Sequence, residues 1–171
     1  MSRPIQRVEG KITYAGFFPK KYQYDVSFSP IIEHSVRIYL IDATPQDMID
    51  FKQKLKVAEE QWNQDRIEMD FDYAFSFAIT TNQDDAHYSV KILDSTRGPY
   101  DRNWGRNWTA VTIAHELGHM LGLGDEYDTI SGKTDCLTTS LMCASWSGNL
   151  MYHNYYFILR RLVQIDDKPQ P

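Results

Sequence analysis

Hydrophobic positions along the chain change their period several times, and each change marks an element. From Ser35 to Ile41 apolar Val36, Ile38 and Leu40 alternate with other residues, and the segment is rich in β-branched types, which predicts a strand. Thr44-Pro45-Gln46-Asp47 then opens a helix, with a cap, a proline at the first helical position and an acid in the first turn. Met48, Phe51, Leu55, Ala58 and Trp62 carry its apolar face at helical spacing. Two further strands are read near 72–81 and 87–93. Helical spacing returns over 109–121, where Val111, Ala114, Leu117 and Leu121 form a stripe. Asn107 or Thr109 can cap the start of that helix and Gly122 its end. A last helix is expected near 152–164. Residues 1–34 carry Tyr14, Phe17, Phe18, Tyr22, Tyr24 and Phe28. Such aromatics seek burial, so this part reads as an arm or irregular strand pair packed on a domain formed by 35–171. The mixture of elements predicts an α+β fold.

The helix over 109–121 carries His115-Glu116-Leu117-Gly118-His119. Histidines four apart lie on one helix face, so their imidazoles can bind one metal ion together. Glu116 can reach a metal-bound water without being a ligand, which is the general-base position of zinc peptidases. Gly122 falls where the helix must stop if the chain is to turn back, and glycine accepts the left-handed backbone of such a stop. Asp125 follows, ten residues after His115, as a hard oxygen ligand; the adjacent Glu126 is the alternative. One zinc per chain is expected, with an open fourth position. A purely structural zinc site has no use for an acid beside an open position. Peptide-bond hydrolysis is therefore favoured over the rival reading, a zinc-stabilised binding module without catalysis.

The extended pattern resembles that of the metzincin metallopeptidases, H-E-x-x-H-x-x-G-x-x-H followed by a methionine turn, with Asp125 in place of the last histidine. The string from Gly122 to Tyr127 is also similar to metallopeptidase toxin domains of bacterial secretion-system effectors. This resemblance implies a metzincin-like single domain: a small twisted mixed sheet with an active-site helix, a backing helix and a C-terminal helix. It implies a zinc endopeptidase acting on a protein or peptide substrate, as a secreted toxin or effector with a cognate inhibitor or immunity protein. It points to Met142, or failing that Met151, as the methionine beneath the metal, and to His153 as a donor to the oxyanion or a further ligand. Tyr127, close after Asp125, is a second candidate helper at the oxyanion.

Composition adds limits. A net charge of −5 gives no electrostatic case for nucleic acid or an anionic membrane, and no apolar run approaches membrane-spanning length. The first ten residues lack an apolar signal-peptide core. Export by a route without a classical signal peptide is expected rather than a cytoplasmic site of action. Cys136 and Cys143 are expected to pair, as suits an oxidising compartment. His34 and His87, in or beside strands, read as structural. The loop over 97–108, with Trp104, Trp108 and three arginines, either lines a substrate groove or tucks its indoles into the core.

Overall fold

A computed structural model of the protein describes residues 5–14, 18–28, 30–64, 66–95, 102–126 and 139–166. Among the described residues the fold is α+β, with a mixed sheet of six strands and three α-helices. Strand β3 (Ile32–Ile41) is its spine; it starts three residues before the predicted strand and buries His34, Val36, Ile38 and Leu40 on one face. Strand β4 (Tyr73–Ile79) runs parallel to β3 from Ile32 to Ile38. The other edge of β3 is shared. Its first residues pair antiparallel with β2 (Phe18–Phe28), and its last pair parallel with β5 (Tyr88–Leu93).

The sheet therefore forks. Beyond β3, β2 continues as a hairpin with β1 (Gln6–Tyr14), an antiparallel ladder from Gln6↔Val26 to Tyr14↔Phe18. The other prong is β5 with the short strand β6 (Asn103–Gly105). The amino-terminal segment is thus a regular hairpin rather than an irregular pair, with Val8, Tyr24 and Val26 of its two strands turned into the core. The expected division at residue 34 falls inside β3.

Helix α1 (Pro45–Gln64) buries the predicted face of Phe51, Leu55, Ala58 and Trp62. Its start is a reciprocal cap: the Thr44 N–H and hydroxyl donate to Asp47, while the Asp47 N–H donates to the Thr44 hydroxyl. Arg106, just past β6, adds an ion pair to Asp47, so the cap also ties α1 to that prong. Helix α2 (Ala110–Met120) packs on α1, with the Trp62 indole donating to the Ala114 carbonyl at 3.1 Å. Helix α3 (Tyr152–Asp166) closes the core through Tyr155, Ile158 and Leu159. The only large aromatic of the 97–108 loop that is fully buried among the described residues is Trp104, which sits in β6 against Phe51. No described helix is long and apolar enough to cross a membrane.

Candidate metal centre

Of the two candidate caps, Thr109 is the one that starts α2, its hydroxyl accepting from the Thr112 N–H. The helix places His115, Glu116 and His119 so that their donor atoms lie within 4.8 Å of one another. Each histidine is anchored from behind. His115 Nδ1 lies 2.8 Å from the Leu141 carbonyl, and His119 Nδ1 lies 2.9 Å from the Leu123 carbonyl. A carbonyl oxygen only accepts, so each Nδ1 carries the hydrogen and each Nε2 turns a lone pair inward.

Those lone pairs meet a third acceptor. The two Nε2 atoms are 3.1 Å apart, and Asp125 Oδ1 stands 3.3 Å from His115 Nε2 and 3.2 Å from His119 Nε2. Asp125 is brought there by a stop at Gly122, whose φ is 87°. Three buried acceptors with no hydrogen between them need a cation. A tetrahedral ion with bonds of about 2.0 Å would space its ligands at about 3.3 Å, so the triangle fits zinc in size as well as in chemistry. Proton affinities follow the same logic. Burial works against a charged His119, but Asp125 and Glu116 outweigh it and raise its pKa. Burial also works against the Asp125 carboxylate, yet the two imidazoles hold its pKa well below the usual range. Burial pushes the Glu116 carboxyl up, opposed by His119, His115 and Lys20.

Beneath the triangle the chain makes a tight turn, in which the N–H groups of Cys143 and Ala144 donate to the Ser140 carbonyl. Met142 in this turn is fully buried, and its sulfur fills the space that a side chain at Gly118 would need. Gly148 crosses the same turn so closely that a Cβ there would lie 2.4–2.6 Å from backbone atoms of Ser140 and Leu141. Glu126 is the hub. Its N–H donates to the Met142 carbonyl, and its Oε1 accepts from Ser140, His153 Nε2 and Asn154 at 2.7, 2.6 and 3.1 Å. It therefore points away from the two histidines, while Asp125 points toward them. Met151 is half-buried at the start of α3, and its N–H is capped by Asn154. Tyr127 and Cys136 lie outside the described residues, and with them the expected Cys136–Cys143 bridge.

The catalytic-domain model of the immune inhibitor A peptidases, M6, matches residues 62–155, more than half of the chain. The chain belongs to the M6 family. With the His115–Glu116–His119 cluster in place, it is a zinc metallopeptidase. Comparison with curated proteins gives no match.

The M6 match runs from the end of α1 into α3 and holds the whole metal centre. The walls above the centre come partly from outside it. A cavity of about 1050 Å³ opens in the fork of the sheet, between the β1–β2 hairpin and the start of β5, and reaches Glu116 and His119. Tyr88 pins the fork to the centre: its hydroxyl accepts from the Gln23 N–H and donates to the Met120 carbonyl. From the other side Arg161 donates to the carbonyls of Leu121 and Gly122 at 2.6 Å each, and stacks on Tyr22. Cations at these orphan carbonyls suit the negative end of α2. Sequence reasoning missed the Leu141 and Leu123 carbonyls, Tyr88, Arg161 and the Glu126 hub. Only the hairpin had left a signal, the alternation along 6–14. His34 is buried within β3, and His87, buried beside Asp25 just before β5, is one of the residues that line this cavity.

Proposed function

We propose that this M6 chain is a zinc endopeptidase in which His115, His119 and Asp125 hold one zinc ion and Glu116 is the general base. The observation that supports this best is the triangle formed by the two Nε2 atoms and Asp125 Oδ1, with edges of 3.1–3.3 Å. A bound zinc supplies Lewis-acid polarisation of the scissile carbonyl and a lowered pKa for water. Glu116, buried and reaching the cavity, takes a proton from the attacking water and delivers it to the leaving amine. The Leu141 and Leu123 carbonyls keep both imidazoles in the tautomer that presents Nε2. Met142 is the apolar floor. Tyr127 is the candidate for steadying the developing oxyanion. His153, bonded through Nε2 to Glu126, is read as a brace of the ligand turn instead.

A second part of the reading concerns biology. The motif resemblance supports a secreted toxin or effector, met by a cognate inhibitor. The close sequence spacing of Cys136 and Cys143 supports a bridge in an oxidising compartment. Mass spectrometry of protein handled without reductant tests the bridge, and two free thiols would count against it. The rival is a zinc-stabilised binding module without catalysis. One experiment separates the two: a proteome-wide profile of cleaved sites for the zinc-loaded protein and its Glu116→Gln variant. Cleavages present with the first and missing with the second establish the peptidase. Identical profiles overturn it.

A further inference from the structure

We infer that the fork of the sheet selects acidic peptide segments, with Lys11 and Lys21 of the hairpin as specificity-determining residues. This rests on the peptidase reading, since it names the substrate class of that same site. Four basic residues line the cavity, Lys11, Lys20, Lys21 and Arg102, against a single acid of the wall, Glu9. The other acid at the cavity is the proposed general base Glu116. The chain as a whole carries net charge −5, so a basic wall is no consequence of composition.

The placement of the lysines argues further. Lys11 and Lys21 are cross-strand partners in the hairpin register, and both are exposed. Directly opposed like charges destabilise a strand pair. Such a local cost with no gain to the fold is what a binding surface leaves behind. Protection of an open strand edge can account for a lysine in β1. It does not call for two lysines set directly opposite one another, as Lys11 and Lys21 are. A cleft of one charge with low-dielectric walls focuses its field and concentrates ligands of the opposite sign. Glutamate and aspartate side chains of an extended peptide, lying along the hairpin and entering toward Glu116, meet that field while their scissile bond reaches the metal-facing histidines.

The test uses the full chain carrying Glu116→Gln and two short fluorescent peptides, one with glutamates flanking an apolar centre and a twin with glutamines. Fluorescence anisotropy should show the glutamate peptide binding about tenfold or more tighter at low salt, with the gap closing at roughly 0.3 M salt, where surface charges are screened within several ångströms. Lys11→Glu with Lys21→Glu should reverse the preference. If that pair perturbs folding, Lys11→Gln with Lys21→Gln should shrink the gap. Equal affinities at low salt, no binding of either peptide, or a gap that ignores the lysine changes would overturn the inference. The unsubstituted zinc-loaded protein separates this from the parent reading. Equal cleavage of both peptides sinks the acidic preference and leaves the peptidase standing. Selective binding without cleavage of any peptide sinks the peptidase and leaves the preference.

Discussion

The floor of the cleft and its wall are built on opposite rules. In the floor, polar groups are locked: two imidazoles by backbone carbonyls, Glu126 by three side chains, and the turn at Met142 by the crossing of Gly148. In the wall, Lys11 and Lys21 reach into solvent from a hairpin whose partner strands touch the core on one face only. The floor is arranged for chemistry that tolerates little displacement. The wall is arranged for a choice between substrates, which depends on summed charge rather than on position. Changes in the floor should therefore abolish function, and changes in the wall should redirect it.

The largest effect is expected at Glu116. Glu116→Gln keeps shape and burial but cannot accept a proton from water at neutral pH. Turnover of any cleaved peptide should fall by roughly 10²–10⁴, with metal content unchanged by elemental analysis. A variant that cleaves at the parent rate would remove the floor's claim to the chemistry. Next comes the pair of adjacent acids. Asp125→Ala deletes one corner of the triangle and should cost most of the zinc affinity. Glu126→Ala loosens only the support behind it, for which a loss of about 10–100-fold is typical. Zinc competition titrations that rank the two the other way would move the ligand by one residue.

How much of this contrast was legible beforehand follows from the range of the interactions. His115, Glu116 and His119 are neighbours on one helical turn, so spacing alone placed them together. The stop at Gly122 and the return of Asp125 were equally local. The helical period of α1 and the alternation in β3 were readable for the same reason. The hidden parts depend on distant partners. Leu141 and Leu123 act through carbonyls, which every residue has, so no side chain marks them. Glu126 becomes a hub only when Ser140, His153 and Asn154 arrive from elsewhere in the chain. The wall was obscured differently. Aromatics in residues 1–34 drew the reading toward an arm, although the alternation of Val8 and Ile12 already described a strand. Trp104 read as a possible groove residue because the short strand that buries it, β6, has too few residues to leave a period.

A third test concerns what lies under the wall. His34 is fully buried beneath the hairpin, between the rings of Tyr24 and Phe75. Burial lowers its pKa to about 4, against about 6.5 unfolded. Between those values the unfolded chain binds a proton that the folded chain refuses. Stability is then full above the unfolded value and is lost as pH falls toward the folded one, by up to about 3 kcal/mol. Denaturant melts at pH 7 and near pH 4 should show this loss, and His34→Phe should remove much of it. An equal acid loss in both proteins would shift the acid sensitivity from the sheet under the wall to other groups.

The smallest and most direct comparison uses two glycines. A Cβ at Gly148 would meet backbone atoms of Ser140 and Leu141 at 2.4–2.6 Å, and backbone in a packed turn has nowhere to go. Gly148→Ala should destabilise the protein by roughly 1–3 kcal/mol, the usual range for overpacking. It should also weaken zinc binding, because Leu141 carries the carbonyl that anchors His115. A Cβ at Gly10 in β1 would come as close, but to the far end of the Tyr22 ring. That contact is with the end of a side chain and not with backbone, and alanine is favoured over glycine within a strand by roughly 0.5–1 kcal/mol through the unfolded chain. Gly10→Ala should therefore stay within about 1 kcal/mol of the parent and leave zinc affinity unchanged. Thermal melts and zinc titrations of both variants measure how rigid each region is. If Gly10→Ala costs as much as Gly148→Ala, the wall is as tightly fixed as the floor, and its lysines would then discriminate by exact position rather than by field.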